Sequence, residues 1–176
     1  LNLPALRGQF YTYRLVAGPG DPERTDLRVD LGFGIQSTWP IEGVNGLRAG
    51  QLLKVVHDGS GGFQCVPTQG RPAAFYTYQA RVLDVIDGDT VWLDIDCGFR
   101  VWTRQKVRLR GIDTPELPTP EGKRSKDFVV RALSEVPFVV VTTTKPDKYD
   151  RYLADVFYPN GAETPEAVLR EGTFLN

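Results

Sequence analysis

The sequence contains no methionine, and only one histidine and two cysteines among its 176 residues. Without a Met at position 1, we expect the natural start of the protein to lie upstream, and a removed signal peptide stays open as an alternative. A single histidine argues against a Ser-His-Asp triad and against a metal site built from several histidines. His57 lies beside the turn "DGSGG", and we interpret it as the solvated end of a strand.

The two cysteines, Cys65 and Cys97, have no Cys-x-x-Cys spacing and no histidine at a metal-binding distance along the chain. We interpret both as reduced, small side chains that are buried or half-buried. A disulfide between them is the alternative.

Long apolar runs are also missing, since no stretch approaches the roughly 18 residues that a membrane span needs. We therefore expect no membrane partner and a water-soluble protein, either cytoplasmic or secreted.

The sequence has no excess of charge of either sign, because its 21 Lys and Arg nearly balance its 22 Asp and Glu, for a net charge of −1. Any affinity for nucleic acid must then come from a local basic patch.

Turn residues divide the chain into two parts that differ in pattern. Residues 1–74 read as short strands between the turns "GPGDP", "EGVNG" and "DGSGG", without helical periodicity, which predicts a small all-β domain. Residues 75–176 add helical patterns, and "TQGRPAA" at 68–74 is the predicted linker. "FYTY" occurs at 10–13 and again at 75–78, followed both times by a strand pattern, Gly-Phe and Trp. The first part is either a degenerate repeat of the second or a chance similarity between two β-hairpins.

The second part predicts a small β-barrel with helices packed outside. Strand patterns occur in "YQARVLDVI", "TVWLDID", "KVRLRGI", "FVVVTTT" and "RYLADVFY". One helix is predicted in "EGKRSKDFVVRALSEV", with an apolar face of Phe128, Val129, Ala132, Leu133 and Val136. A second is predicted in "ETPEAVLREG", with Thr164 as N-cap and Pro165 in the first turn.

Two acidic segments, "IDGDT" and "GIDTPE", flank the predicted hairpin formed by the second and third of these strands. Asp89 begins one strand and Asp113 ends the next, and a hairpin midpoint near residue 101 would place both at its open end. Two close carboxylates repel each other unless a cation lies between them. Carboxylate oxygens of this kind suit Ca²⁺ or Mg²⁺.

Each acidic segment alone is better explained by a turn, because Asp-Gly is common hairpin punctuation and Asp-Thr-Pro-Glu suits a turn or a helix start. The arginines favour a site. Arg108 lies five residues before Asp113, Arg151 follows the turn "DKYD", and five basic residues with no acidic one fall between 100 and 110. A charge run of this kind is usually a solvated face, but a divalent cation beside arginines is also what phosphodiester hydrolysis requires.

The segments "IDGDTV", "VRLRGIDTPE" and "DKYDRYLADVF", in this order and with a helix between the last two, resemble the staphylococcal nuclease (thermonuclease) family over residues 76–172. The resemblance implies an OB-fold five-stranded barrel with flanking helices, preceded here by the small all-β domain. The long hairpin resembles variants from phage and bacterial genomes. The implied activity is Ca²⁺-dependent hydrolysis of DNA or RNA, preferably single-stranded, that leaves 3′-phosphate ends.

The resemblance also implies a role for each matching residue. Asp89, Asp113 and the carbonyl of Thr114 would bind Ca²⁺, and Asp87 and Thr90 would support these ligands without touching the metal. Glu116 would be the general base, Arg108 and Arg151 would stabilise the phosphate in the transition state, and Lys148 and Tyr149 would contact the substrate.

Two features depart from the family pattern. The chain ends near the second family helix, without the third helix and the tyrosine-bearing loop that packs on a base. Residues 75–176 also contain 14 Lys and Arg against 16 Asp and Glu, so we expect modest salt-dependent affinity. A non-catalytic nucleic-acid-binding or protein-binding module of the same fold is the alternative function, and a structural protein with a stabilising Ca²⁺ is a weaker one. The sequence leaves the oligomeric state open.

Overall fold

A computed structural model describes residues 4–20, 26–38, 41, 45–57, 59–60, 62–70, 76–146 and 151–176. The described residues form two compact units, one of residues 9–76 and one that combines residues 4–8 with 77–176. The predicted division at residues 74 and 75 would assign residues 4–8 to the other domain. In the structure this segment belongs with the C-terminal unit.

The first unit is a five-stranded antiparallel sheet in the order β3-β2-β1-β4-β5. Its strands are β1 (Thr12–Ala17), β2 (Leu27–Gly32), β3 (Ile35–Ser37), β4 (Leu52–His57) and β5 (Phe63–Thr68). The core contains Leu15, Val29, Leu31 and Leu53, which are fully buried. No helix occurs in the described part of this unit, which agrees with the all-β prediction. The three-residue strand β3 was not predicted.

The second unit is a closed, OB-like five-stranded barrel with two helices. A sixth, two-residue strand near the C-terminus pairs with one edge of the sheet. Its elements are β6 (Thr77–Val85), β7 (Thr90–Asp96), β8 (Trp102–Leu109), α1 (Pro120–Leu133), β9 (Val139–Pro146), β10 (Tyr152–Tyr158), α2 (Pro165–Glu171) and β11 (Thr173–Phe174). The sheet order is β11-β10-β8-β7-β6-β9, and a β9–β10 pairing closes the ring. The pair β8–β10 is parallel and the others are antiparallel.

Alternation along the strands builds the barrel core, because every second side chain points inward. Val91, Leu93 and Ile95 on β7 and Val107 and Leu109 on β8 are fully or almost fully buried, as their pattern predicts. The basic residues between them on β8 point outward. This arrangement gives β8 an apolar face toward the core and a cationic face toward solvent.

Both helices begin at threonines that cap the first turn. The hydroxyl of Thr119 accepts a hydrogen bond from the Gly122 amide, and Thr164 accepts one from Ala167, as expected of good N-caps. The prediction for the apolar face of α1 was partly wrong. Val129 and Leu133 are buried, but Phe128 is 58% exposed.

The two units share their strand pairing residue by residue. Leu15 pairs with Val29 as Ala80 pairs with Ile95, and the pairing of β1 with β4 matches that of β6 with β9. The first sheet thus has the same strand order as the barrel. In the described part of the chain, however, its edge strands β3 and β5 do not pair, so this sheet is open.

Unusual backbone angles recur at the corresponding positions. Tyr11 and Tyr76, in the two "FYTY" segments, have φ values of 55° and 59°. Phe33 and Phe99, in the two "GF" turns, have φ values of 55° and 54°. Positive φ is rare for bulky residues, so its recurrence supports the repeat over a chance similarity of two hairpins.

Candidate active site

A cleft of about 700 Å³ opens at the end of the β7–β8 hairpin, within the second unit. Seven of the ten residues predicted for the site line it, namely Asp87, Asp89, Arg108, Asp113, Thr114, Glu116 and Arg151. Thr90 lies buried beside Asp89. Lys148 and Tyr149 lie outside the described residues.

The hairpin brings the two acidic segments together by a route that differs from the prediction. Asp96 pairs with Trp102 and Thr90 with Arg108, so the hairpin is centred on Phe99 and the predicted midpoint at residue 101 was wrong. Asp113 therefore lies beyond the end of β8 and reaches the cleft through the loop that follows.

Asp89 is the buried centre of the site, with its side chain only 4% exposed. One carboxylate oxygen, Oδ1, accepts hydrogen bonds from Arg108 Nη1 and the Thr90 hydroxyl, both at 2.9 Å. The other, Oδ2, accepts from the Thr114 amide at 3.0 Å and the Thr114 hydroxyl at 3.3 Å. The four donors compensate the cost of burying this charge.

Arg108 joins the two acidic segments. In addition to its bond to Asp89, its Nη2 donates to Asp113 Oδ1 at 2.6 Å and to the carbonyl of Ile112 at 3.3 Å. The Asp113 side chain is 93% exposed, whereas that of Arg108 is 21% exposed. The cation between the two carboxylates in this structure is therefore the guanidinium group of Arg108.

The loop that carries Asp87 and Asp89 is held by close packing and by its own hydrogen bonds. Asp87 Oδ1 accepts from the Asp89 amide at 2.9 Å. Between these two residues, a Cβ built on Gly88 would lie 2.6 Å from Ser125 Cβ and 2.8 Å from Thr114 Cγ2. Glycine is required at this position because the loop passes directly against α1 and the loop of Thr114.

Glu116 is exposed and lines the cleft, and its backbone is bonded to the start of α1. Its carbonyl accepts hydrogen bonds from the Thr119 amide at 3.1 Å and from the Thr119 hydroxyl at 2.5 Å. A Cβ on Gly122 would lie 2.5 Å from this same carbonyl oxygen. The carboxylate of Glu116 thus projects from a backbone that the helix N-terminus holds in place.

The cleft offers the carboxylates of Asp87, Asp89, Asp113 and Glu116, and carboxylate oxygens are ligands that Ca²⁺ prefers. Within the described residues, however, no group of three or more His, Cys, Asp or Glu is placed to hold a metal ion. Both Asp89 and Asp113 are bonded to Arg108, and Thr114 directs its amide and hydroxyl toward Asp89. The residues suit Ca²⁺ in kind, but metal binding would require Asp89 and Asp113 to exchange their contacts with Arg108.

Sequence reasoning missed three cleft residues, Lys106, Pro115 and Leu153. Lys106 could have been identified, because it lies two positions before Arg108 on the same face of a strand. Leu153 carries no chemical signal of its own and enters the cleft only because β10 pairs in parallel with β8.

Arg110, the basic residue that directly follows the end of β8, does not line the cleft. Its guanidinium forms a two-pronged ion pair with Asp155, at 2.6 and 2.7 Å, and Asp155 is fully buried. The hydrogen bonds that Arg110 donates to Asp155 raise the pKa of Arg110 above its usual value. The basic residues between 100 and 110 therefore have different roles. Arg108 lines the cleft, whereas Arg110 forms an ion pair with the buried Asp155.

The two cysteines are free, with Cys65 half-buried and Cys97 buried. This agrees with the prediction of reduced thiols and contradicts the alternative of a disulfide. Burial raises the pKa of both thiols, and burial together with the nearby Asp96 raises the pKa of Cys97 to about 12.

No helix in the described part of the chain is long and apolar enough to cross a membrane.

Comparison with known proteins gives a match between residues 106–174 and the family model described as "Staphylococcal nuclease homologue". An uncharacterized protein of Methanocaldococcus jannaschii is 31% identical over an alignment of 108 residues that covers 47% of this chain and 50% of that protein. An uncharacterized endonuclease of Escherichia coli O157:H7 is 34% identical over 92 residues, 52% of this chain and 56% of the relative. The thermonuclease of Staphylococcus hyicus is 34% identical over 84 residues, 44% of this chain and 47% of that enzyme. The chain thus spans about half the length of these relatives.

Proposed function

Because the chain contains a staphylococcal-nuclease-like domain, matched over residues 106–174, we propose that it is a nuclease that hydrolyses the phosphodiester backbone of DNA or RNA. The observation that carries the proposal is that Asp89, Arg108, Asp113, Glu116 and Arg151 line one cleft. Two guanidinium groups and an exposed carboxylate around one open space are what hydrolysis of a phosphodiester needs.

In this proposal the two arginines bind the phosphate. Guanidinium groups form paired hydrogen bonds to phosphate oxygens and stabilise the additional charge of the five-coordinate transition state. Arg108 is directed toward the cleft by Asp89 and Asp113. Arg151 enters from the start of β10, next to β8.

Glu116 is proposed as the general base. Its exposed carboxylate takes a proton from the attacking water, whose oxygen forms a new bond to phosphorus. The bond from phosphorus to the 5′ oxygen breaks, and that oxygen takes up a proton to become a 5′-hydroxyl. The other product then carries a 3′-phosphate.

We further propose Ca²⁺ as the metal, with Asp89, Asp113 and Thr114 as the residues that would hold it and Asp87 and Thr90 as their supports. A bound divalent cation polarises a phosphoryl oxygen and lowers the pKa of water. Because the proposed roles of Arg108, Arg151 and Glu116 concern the phosphate and not a base edge, single-stranded DNA and RNA are both proposed as substrates.

The test is incubation of labelled single-stranded DNA and RNA with the protein, in Ca²⁺ and in excess chelator, followed by analysis of the product ends. Cleavage that requires Ca²⁺ and leaves 3′-phosphates is expected. Equal cleavage in chelator would exclude the metal dependence, and 5′-phosphate products would exclude the proposed direction of attack.

A binding module without catalysis is the second candidate, and one observation favours it. Arg108 is already bonded to both carboxylates, an arrangement that is complete without metal or phosphate. Binding of the same oligonucleotides without cleavage under any metal condition would identify this function instead.

A further inference from the structure

A row of outward-facing side chains on β8 leads away from the cleft. Trp102, Arg104, Lys106 and Arg108 alternate with inward-facing residues, of which Val107 is fully buried. Lys106 and Arg108 line the cleft, and Arg104 and Trp102 continue the row beyond it. At about 3.4 Å per residue the row is roughly 20 Å long, which is enough to follow several nucleotides of an extended strand.

Neighbouring strands add aromatic and cationic side chains to this row. Trp92 on β7 pairs directly across from Lys106, whose Nζ lies 5.9 Å from the centre of the Trp92 ring. Arg81 on β6 places its guanidinium carbon 5.0 Å from the centre of the Trp102 ring. We call Arg81, Trp92, Trp102, Arg104 and Lys106 the outer strip.

The composition of the outer strip is unusual for a solvent-facing sheet surface. It includes two of the chain's three tryptophans, and Trp102 is 42% exposed. An exposed tryptophan leaves a large apolar ring in contact with water, although burial of that ring would be favourable. Aromatic rings next to cations are the combination on which the bases and phosphates of single-stranded nucleic acid bind.

Acidic residues on the same face limit how the outer strip can bind. Asp94 lies 4.0 Å from Arg104, and the carboxylate of Asp96 accepts a hydrogen bond from the Gly98 amide. Asp84 is exposed opposite Trp92. A surface with this near balance of charge attracts the dense phosphates of a duplex only weakly, so stacking on the tryptophans must supply much of the binding.

We propose that the outer strip binds the nucleotides of a single-stranded substrate that adjoin the phosphate held in the cleft. The proposal rests on the proposed nuclease function, because Lys106 connects the outer strip to that site. A single strand is the occupant that fits, since its bases are free to stack on Trp102 while its backbone follows Arg104 and Lys106.

The experiment measures equilibrium binding by fluorescence anisotropy in the full chain, with Glu116→Gln present throughout to prevent cleavage. The probes are a labelled single-stranded 12-mer and a dinucleotide that fills only the cleft. Trp102→Ala is expected to weaken 12-mer binding about tenfold, a usual loss for one stacked base, and to leave dinucleotide binding unchanged. Trp102→Phe, which keeps an aromatic face, is expected to restore most of the 12-mer affinity.

Phe128→Ala is the matched control, because Phe128 is an exposed aromatic residue that belongs to α1 and not to the sheet. It is expected to leave 12-mer binding unchanged. A second test variant is Arg104→Gln. It should lower the slope of log affinity against log salt concentration by roughly 0.7, the change expected when one phosphate contact to a single strand is lost.

Each result decides the proposal. The proposal would be overturned if Trp102→Ala had no effect on 12-mer affinity, or if Phe128→Ala lowered that affinity as much as Trp102→Ala does. It would also be overturned if Trp102→Ala weakened binding of the 12-mer and of the dinucleotide equally. Failure of the nuclease proposal is distinguishable, because the unsubstituted chain would then bind the 12-mer through the outer strip and cleave nothing in Ca²⁺.

Discussion

At the scale of single residues, Arg108 is the side chain on which the cleft depends. It balances the charge of buried Asp89 and holds the loop of Asp113 at the same time. Its neighbours in sequence behave differently, since Arg104 is a solvent-exposed side chain and Arg110 is paired with Asp155. Arg108 and Arg110 thus differ in role because each is bonded to a different buried carboxylate, Asp89 for Arg108 and Asp155 for Arg110.

We predict that Arg108→Ala lowers the free energy of unfolding by about 3 kcal/mol without metal, because it leaves the buried carboxylate of Asp89 without its cation. Arg104→Ala, on the same strand but 76% exposed, should lower it by less than about 1 kcal/mol. Urea unfolding of both variants in chelator measures the difference. Added Ca²⁺ should also restore more stability to Arg108→Ala than to the unsubstituted chain. Similar losses in the two variants would contradict the central role of Arg108.

Glu116→Gln is predicted to lower turnover by at least roughly 10²-fold, the usual loss when proton transfer is removed from the transition state. Its melting temperature should stay unchanged, because the side chain is exposed and its backbone contacts remain. Glu121→Gln, also exposed and at the start of α1, is the control and should retain full turnover. Near-normal turnover of Glu116→Gln would show that another group is the base.

The buried thiol of Cys97 predicts a loss of stability in alkaline solution. Its pKa is raised from 9.0 to about 12 in the folded chain, so the unfolded chain loses this proton first as the pH rises. Stability should therefore be complete below about pH 9 and fall above it, by up to about 1.4 kcal/mol per pH unit. Unfolding measured between pH 8 and 11 should show a smaller decline in Cys97→Ala than in the unsubstituted chain. An unchanged decline would assign it to other groups.

At the scale of elements, the start of α1 organises both acidic loops. The loop of Gly88 packs against Ser125, and the backbone of Glu116 is bonded to the N-cap Thr119. Two glycines, Gly88 and Gly122, allow these close approaches. The helix thereby sets the distance between the metal-binding candidates and the proposed base, although it contributes no residue to the cleft in the described part of the chain.

Gly88→Ala is predicted to reduce turnover more than stability alone would explain, because the new Cβ would displace the loop of Asp89 from Thr114 and Ser125. An overpacked position of this kind costs about 1–3 kcal/mol. Adding Ser125→Gly removes one of the clashing atoms and should recover part of the activity. Turnover and urea unfolding measured on the single and double variants test this. Full activity of Gly88→Ala would show that the loop shifts without effect on the site.

At the scale of the whole molecule, the N-terminal segment of residues 4–8 is built into the unit that carries the cleft. The Leu6 amide donates to Asp155 at 2.5 Å, and the Pro4 carbonyl accepts from Arg110 at 2.8 Å. Arg7 donates to the carbonyls of Leu169 and Gly172 at the end of α2 and lies over the ring of Phe157. These contacts connect the beginning of the described chain to its last helix.

Asp155→Ala is predicted to lower the free energy of unfolding by about 3–5 kcal/mol, because Arg110 and the Leu6 amide lose their partner in a buried position. Arg7→Ala removes only partly exposed contacts of the same segment and should lose less, about 1–2 kcal/mol, as expected for hydrogen bonds to carbonyls. Urea unfolding of the full chain measures both changes. If Arg7→Ala lost as much as Asp155→Ala, the segment as a whole would be the source of stability, and the ion pair would not.

Much of the second unit could be predicted from local pattern. Alternation identified the inward faces of β7 and β8, and Thr164 with Pro165 marked the start of α2. The order of the acidic and basic segments was sufficient to indicate the family resemblance and seven of the ten residues that line the cleft. These features are readable because strand faces, caps and motifs depend on residues that lie close together in sequence.

Tertiary structure alone decided which charges meet. Arg110 and Arg108 look alike in sequence, but Asp155, which pairs with Arg110, is 45 residues away, and Leu6 is 149 residues from Asp155. The exposure of Phe128 was decided in the same way, since it depends on what packs beside α1. The parallel pairing of β8 with β10 brings Arg110 and Asp155 together, and no local periodicity reports such a contact.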